Sequence, residues 1–238
     1  LSEQLAPAEL RELMNRYYET LFGPIRRSGG IISVVVGDAS LAIWTSTRPD
    51  PVQRQLACHA ALEILSNVEY FNQQEPAFAL PTRLGLHFGE VIMGHVGAMD
   101  HYEYRAVGDI VNTASRIEGL NKQLGTRILV SKEVLQGVEG FITRELGSFL
   151  LLGKSKPLSL YELVAKVHQD KINKPYADFV RSLHMFQAQH WDEASIGFEN
   201  FISKYGEDGP SQYYLDLCRQ YLASPPTEWD GVIRVTKK

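Results

Sequence analysis

Two β-rich runs meet at a Gly-Asp step: Ile31-Ile32-Ser33-Val34-Val35-Val36 lies before Gly37-Asp38, and Leu41-Ala42-Ile43-Trp44 follows it. Short β-branched runs around such a step predict a hairpin, and the flanking segments are organised about it. Residues 7–28 carry Leu10, Leu13, Met14, Tyr17, Leu21 and Phe22 at three- and four-residue steps, an amphipathic helix closed by Gly29-Gly30. After Pro49 and Pro51, residues 52–71 are again helix-periodic, and residues 82–91 alternate as a strand with Leu84, Leu86 and Phe88 on one face. Residues 91–96 can continue as strand, and residues 97–104, polar, aromatic and glycine-punctuated, read as an extended loop or a hairpin arm. The spacing then predicts a helix over 109–123 stopped by Gly125, a strand at Ile128-Leu129-Val130, and a helix opened by Ser131 as N-cap. Closing strands are expected over 141–152 and 158–164.

After the first helix the order is β, β, α, β, β, α, β, α, β, β, which suits an α+β fold with an antiparallel-rich sheet and helices on one face. A strand before that first helix is missing from the pattern. The sequence starts at Leu1-Ser2-Glu3 without methionine, so a longer polypeptide is expected. From residue 174 the character changes: residues 176–188, 191–205 and 211–222 read as three amphipathic helices, separated by His190 and by Gly206-Glu207-Asp208-Gly209-Pro210. They resemble one and a half tetratricopeptide-type repeats. The expected division is a first domain over 1–167, a small all-α module over 174–224, and a weakly structured tail over 225–238 whose Trp229 tucks against the helices.

The 238 residues are 44% hydrophobic and 22% charged, an ordinary globular composition. A net charge of -4 leaves no basic footprint, which argues against nucleic acid or an anionic membrane surface as main partner. Cys58 and Cys218 are far apart in helical stretches, neither a disulfide framework nor a metal spacing, so a reducing compartment is expected. No apolar run reaches membrane-spanning length and no leader pattern precedes the first helix, so a cytoplasmic domain is expected.

Asp38 displays a carboxylate at the hairpin tip; alone, it is an ordinary turn aspartate. Asn112 and Arg116 lie one helical turn apart, with Ile110, Ala114, Ile117, Leu120 and Leu124 as the expected buried stripe; alone, this is a solvated helix face. The seven histidines show no ligand spacing, His87 reads as structural, and neither a P-loop nor a nucleophile elbow occurs.

Taken together, Gly29-Gly30, Gly37-Asp38, the Gly-Asp-x-Val-Asn-x-Ala-x-Arg run at 108–116, and Gly153-Lys154-Ser155-Lys156-Pro157 leading to Tyr161-Glu162-Leu163 resemble the class III adenylate and guanylate cyclases over about residues 1–165. The C-terminal helices ending in Trp229-Asp230-Gly231-Val232 look like those of bacterial cyclases with a CHASE2-type sensor upstream. The resemblance implies the ferredoxin-like nucleotide cyclase fold in a signalling protein. It also implies cyclisation of a nucleoside triphosphate by attack of its 3′-hydroxyl on the α-phosphorus, with release of pyrophosphate. Two Mg²⁺ or Mn²⁺ ions would be held by two aspartates. Asp38 matches the second; the first belongs to a strand preceding the initial helix, and the sequence starts after it.

In the same resemblance Asn112 matches the ribose-positioning asparagine and Arg116 the arginine that stabilises α-phosphate charge. Metals come from one subunit and Asn and Arg from the other, so a homodimer with composite sites is implied, the domain lying on the cytoplasmic side of a membrane-anchored sensor protein. The arm over 99–104 either contributes to that contact or packs on its own subunit. Three positions depart from the pattern: the purine-reading lysine is Val34, its partner is Arg105, and a triphosphate-contacting lysine is Leu152. Valine cannot hydrogen-bond, and arginine offers donors but no acceptor for an adenine amino group. Two readings follow, a cyclase with non-standard base recognition and a catalytically silent module for dimerisation and nucleotide binding.

Overall fold

In the computed structural model, which describes residues 5–48, 50–98, 101–167 and 175–236, the elements begin with α1 (Pro7–Arg27), β1 (Ile31–Val36), β2 (Ala39–Ile43) and α2 (Pro51–Gln74). A 3-10 turn (Pro76–Phe78) leads to β3 (Leu84–Leu86), β4 (Ile92–Ala98), β5 (His101–Val107), α3 (Asp109–Leu124) and β6 (Ile128–Ser131). Then come α4 (Lys132–Leu135), β7 (Phe141–Leu150), β8 (Leu158–Lys166), α5 (Pro175–Gln187), α6 (Trp191–Tyr205), α7 (Gly209–Ala223) and β9 (Val232–Arg234). These elements gather into two units, Leu1–Thr82 with Gly89–Val111, and Arg83–Phe88 with Asn112–Lys238.

In the first unit α1 opens on Pro7, whose missing N–H costs nothing at that position. Its buried face of Leu13, Tyr17, Leu21 and Ile25 packs along α2, which buries Cys58, Ala61, Ile64, Val68 and Phe71. Asp50 caps α2, its Oδ1 accepting from the Val52 N–H at 2.8 Å. Burial pushes the Cys58 thiol up to about 12, so it serves as a small apolar side chain. The expected hairpin forms as β1 and β2, and the glycine-punctuated arm is a second antiparallel hairpin, β4 and β5, in register from Ile92 opposite Val107 to Ala98 opposite His101. The reading of 99–104 as a subunit contact rests on side chains outside the described residues.

The second unit is built on a sheet of order β3-β6-β8-β7-β9. Its β6–β8 and β8–β7 ladders are antiparallel; β3–β6 and β7–β9 are parallel. The strand expected over 82–91 is only three residues long because its sole described ladder is with the short β6. Ahead of it the backbone of Leu80 is held by the Asn72 side chain instead, N–H to Oδ1 at 2.8 Å and carbonyl to Nδ2 at 3.1 Å. The helix opened at Ser131 is a single turn, and Ser131 does not cap it: its hydroxyl is 2.8 Å from Nδ1 of His87. The strand expected over 141–152 ends at Leu150, where the chain turns through Lys154 N–H to Leu151 carbonyl.

The three C-terminal helices share one hydrophobic core with the sheet. Phe179, Leu183, Phe198 and Tyr214 cluster with Leu146, Phe149 and Leu160 of the strands and with Ile117, Leu120 and Leu124 of α3. The Tyr214 hydroxyl donates to the Leu146 carbonyl across this core, next to Gly147, where an added Cβ would meet that hydroxyl at 2.9 Å. The tail corrects the expectation of weak structure: Val232–Arg234 adds to the edge of β7, burying Ile233, because an unpaired edge of N–H and C=O groups is available there. Trp229 packs against the helices as expected, donating to the Gln187 carbonyl at 2.8 Å. No described helix is long and apolar enough to cross a membrane.

One buried cation ties strands to helices. Arg144 on β7, 3% exposed, donates through Nε to Glu162 of β8 at 2.9 Å and through Nη1 to Asp208 at 2.7 Å, beneath the rings of Tyr176 and Phe179 at 5.0 and 4.9 Å. Lost hydration raises the Glu162 pKa and the neighbouring guanidinium pulls it back only in part. Arg144→Met removes that opposing pull and strands two carboxylates, so a loss of about 3–5 kcal/mol is expected. A carboxyl pKa raised above its unfolded value binds more protons in the folded state, so stability falls as pH rises through it. Urea unfolding should therefore show a larger deficit for Arg144→Met at neutral pH than under mildly acidic conditions.

Candidate active site

The residues singled out in the sequence fall into two groups, one in each unit. In the first, Gly37 at φ +59 occupies the first central position of the two-residue turn between Val36 and Ala39. Its carbonyl accepts from the Tyr18 hydroxyl of α1, which tethers the tip, and Asp38 stands exposed beside it. Val34 lies on the same strand, half-buried opposite Leu41, next to an irregularity in the ladder. Arg105 is exposed on β5 opposite Gly94, and β5 runs beside β1 within this unit. Asp38, Val34 and Arg105 thus belong to two adjacent hairpins.

The second group is carried by α3. Here the expected buried stripe needs correcting: Thr113, Ile117, Leu120, Asn121 and Leu124 are buried, while Ala114 and Ile110 are half-buried. Two polar residues enter the stripe because each has a partner. Asn121 donates to the carbonyls of Leu84 and Glu118, both at 2.9 Å, and accepts from the Thr126 hydroxyl at 2.8 Å. Thr113 receives the Lys154 ammonium at 2.7 Å. At Gly85 the helix lies directly on β3, where an added Cβ would sit 2.6 Å from the Ala114 carbonyl oxygen and 2.7 Å from Glu118 Cα.

On the outer side of α3 Asn112 is exposed, but Arg116 is half-buried rather than solvated. Its guanidinium lies over Gly153, at φ +69 in the β7–β8 turn, where an added Cβ would be 3.3 Å from Nη2. Arg116 Nη1 is buried with no hydrogen-bond partner among the described residues. Lys154 and Gly153 thus fasten the β7–β8 turn to two successive turns of α3, and among the described residues no carboxylate pairs with Arg116. Leu152, at the same turn, is 44% exposed and offers no charge.

Residues 1–165 match the profile of the adenylate and guanylate cyclase catalytic domain, well over half of the chain. The chain belongs to this family. It is 34% identical over 171 residues to adenylate cyclase 1 of Rhizobium meliloti, which covers 70% of this chain and 26% of the relative. It is 33% identical over 176 residues to an adenylate cyclase of Anabaena cylindrica, covering 69% of the chain and 34% of the relative. The chain therefore spans about a third or less of these curated relatives. The adenylyl cyclase CyaB from P. aeruginosa superposes with a TM-score of 0.60 at 25% identity, over 72% of this chain and 89% of that one. The α+β architecture is that of nucleotide cyclases.

Cyclases of this family generally use divalent metal ions. A carboxylate on a tethered tip is the hard oxygen donor such ions take, and Mg²⁺ in nucleotide sites needs only one or two protein carboxylates beside the phosphates. Asp38 fits that requirement as one ligand; among the described residues no group of three metal-ligating side chains gathers.

Sequence reasoning missed Gly85, Asn121, Thr113 and Tyr18. The glycine inside a strand pattern was a usable signal of close backbone approach, and a polar residue on an apolar stripe was another. Gly85→Ala should force α3 off β3. About 1–3 kcal/mol of stability is expected to be lost in urea unfolding, as for other overpacked sites.

Proposed function

We propose that this chain is the catalytic domain of a class III nucleotide cyclase that converts a nucleoside triphosphate into a 3′,5′-cyclic nucleotide and pyrophosphate in bacterial signal transduction, with non-standard base recognition. The observation that carries the reading is Arg116: a guanidinium seated on the Gly153 turn, its buried Nη1 unsatisfied among the described residues, one helical turn from Asn112. A buried donor without a partner is costly unless an acceptor arrives, and an α-phosphate oxygen supplies one.

In this reading Asp38 contributes its carboxylate to the divalent ion, Mg²⁺ or Mn²⁺. The bound ion would lower the pKa of the attacking hydroxyl and neutralise charge on the departing phosphates. Asn112 donates to the ribose and fixes the 3′-oxygen in line. Arg116 meets the charge that grows on the α-phosphate as the new ester bond forms and the bond to pyrophosphate breaks. Phosphoryl transfer depends on such positioning and electrostatics. Val34 leaves the base edge unread, and Arg105 supplies donors that suit the carbonyl oxygens of guanine or a pyrimidine.

We further propose a homodimer with composite sites. Ile92 and Val107, cross-strand partners at the foot of the second hairpin, are 74% and 46% exposed, an apolar pair that a second subunit would cover. The α5–α7 segment is read as a tetratricopeptide-like packing or partner-binding module, and a CHASE2-type membrane sensor is read upstream of the cyclase domain. Its tight α5–α6 crossing, where Gly197 faces the Ser182 side chain, supports a helical hairpin. Exposed Leu152 in place of a triphosphate-contacting cation favours the second reading, a silent module for dimerisation and nucleotide binding.

Incubation of the full-length protein with Mn²⁺ and each of ATP, GTP, CTP and UTP, with cyclic product scored by mass spectrometry, separates the two. A product is expected, and Arg116→Ala should lower its rate roughly 10²- to 10³-fold. No product from any nucleotide by an intact dimer would establish the silent module.

A further inference from the structure

The C-terminal helices meet the catalytic helix end to end. Beyond Leu124 the chain turns at Gly125, φ +66, and Thr126 N–H returns to the Asn121 carbonyl. There the backbone of Gly209, first residue of α7, lies against it. A Cβ added at Gly209 would stand 2.5 Å from the Leu124 carbonyl oxygen and 2.7 Å from Gly125 Cα, and one added at Gly125 would be 2.9 Å from Gly209 Cα. Gly209 has no left-handed φ, so this contact, rather than backbone conformation, is what a side chain there would disturb.

The residue before it is equally constrained. Asp208 caps α7, Oδ2 accepting from Ser211 N–H at 2.9 Å, while Oδ1 accepts from Arg144 at 2.7 Å. Arg144 is fixed in turn by Glu162 of β8. The start of α7 is therefore pinned to the sheet, and α3 abuts it.

We infer that Asp208 and Gly209 are positioning residues for catalysis: the α7 N-terminus is an end-stop that sets where α3 holds Asn112 and Arg116. The inference rests on the cyclase reading above. The device acts through the shared core of α3, β7 and α7, and it assigns the start of α7, rather than the helical segment as a whole, to the positioning of α3. Small misplacements of reacting groups are costly, a 1 Å error reaching about 10²-fold in rate. Because Arg116 meets charge that grows on the α-phosphate toward the transition state, the loss should fall more on kcat than on KM.

The test compares Gly209→Ala with Phe201→Leu in the full-length protein. Phe201 is buried in the helical segment against Phe179 and Tyr205. Expected for Gly209→Ala is a fall in kcat of about tenfold with KM within about twofold, and faster amide exchange in α3. Phe201→Leu should lower the melting temperature while leaving kcat and α3 exchange unchanged. An unchanged kcat in Gly209→Ala, or losses of kcat that track melting temperature equally in both variants, would overturn the inference. If the unaltered protein forms no product, the cyclase reading fails, and exchange alone decides the end-stop: faster exchange in α3 specific to Gly209→Ala upholds it, and its absence sinks it.

Discussion

Backbone contact between α3 and β3 at Gly85 governs the geometry of the second unit. A helix normally stands off a sheet by the length of two side chains; here the strand offers none at the crossing, and the carbonyl of Ala114 and the backbone of Glu118 come down onto it. Asn121 fastens the same pair by giving its amide hydrogens to Leu84 on the strand and Glu118 on the helix. With the helix seated this low, Thr113 reaches the Lys154 ammonium and Arg116 reaches the Gly153 turn. A longer standoff would leave both residues facing water.

The other constraint is electrostatic. Arg144 is almost wholly removed from solvent, and its cost is offset by two carboxylates and two aromatic faces that come from β8, the α6–α7 turn and α5. Such a cluster adds little net stability over apolar packing, yet it tolerates no partial assembly, since each missing member strands a buried charge. It therefore acts as a register mark, fixing one relation between the sheet and the helices that follow it. The Tyr214 hydroxyl on the Leu146 carbonyl and the β9 strand on the edge of β7 keep the same register.

The positions proposed to read the base are subject to different constraints. Val34 and Arg105 sit on hairpins of the first unit, where exposure and ladder position permit many side chains without disturbing a core. In the proposed reading, substitution there would change what a base meets while the hairpins still form, one architecture serving different nucleotides.

Local chemistry determined a good deal by itself. The Gly37-Asp38 turn, the amphipathic α1 and α2, the α3 helix with Asn112 and Arg116 one turn apart, and the family signature were all legible, because turn preference and apolar periodicity act within a few residues. The length of β3 was not legible, since a strand extends only as far as its partner. Nor was the use of the Ser131 hydroxyl by His87 in place of the α4 cap, because both groups compete for it only once the strands are adjacent. The tail became a strand because β7 presented an edge to it. Arg116 left the solvated face for the Gly153 turn, and the helical segment merged with the sheet, because buried contacts join residues that the sequence separates by tens of positions. Periodicity chose the elements; the packing of backbone on backbone at Gly85 and Gly209 decided where α3 could stand.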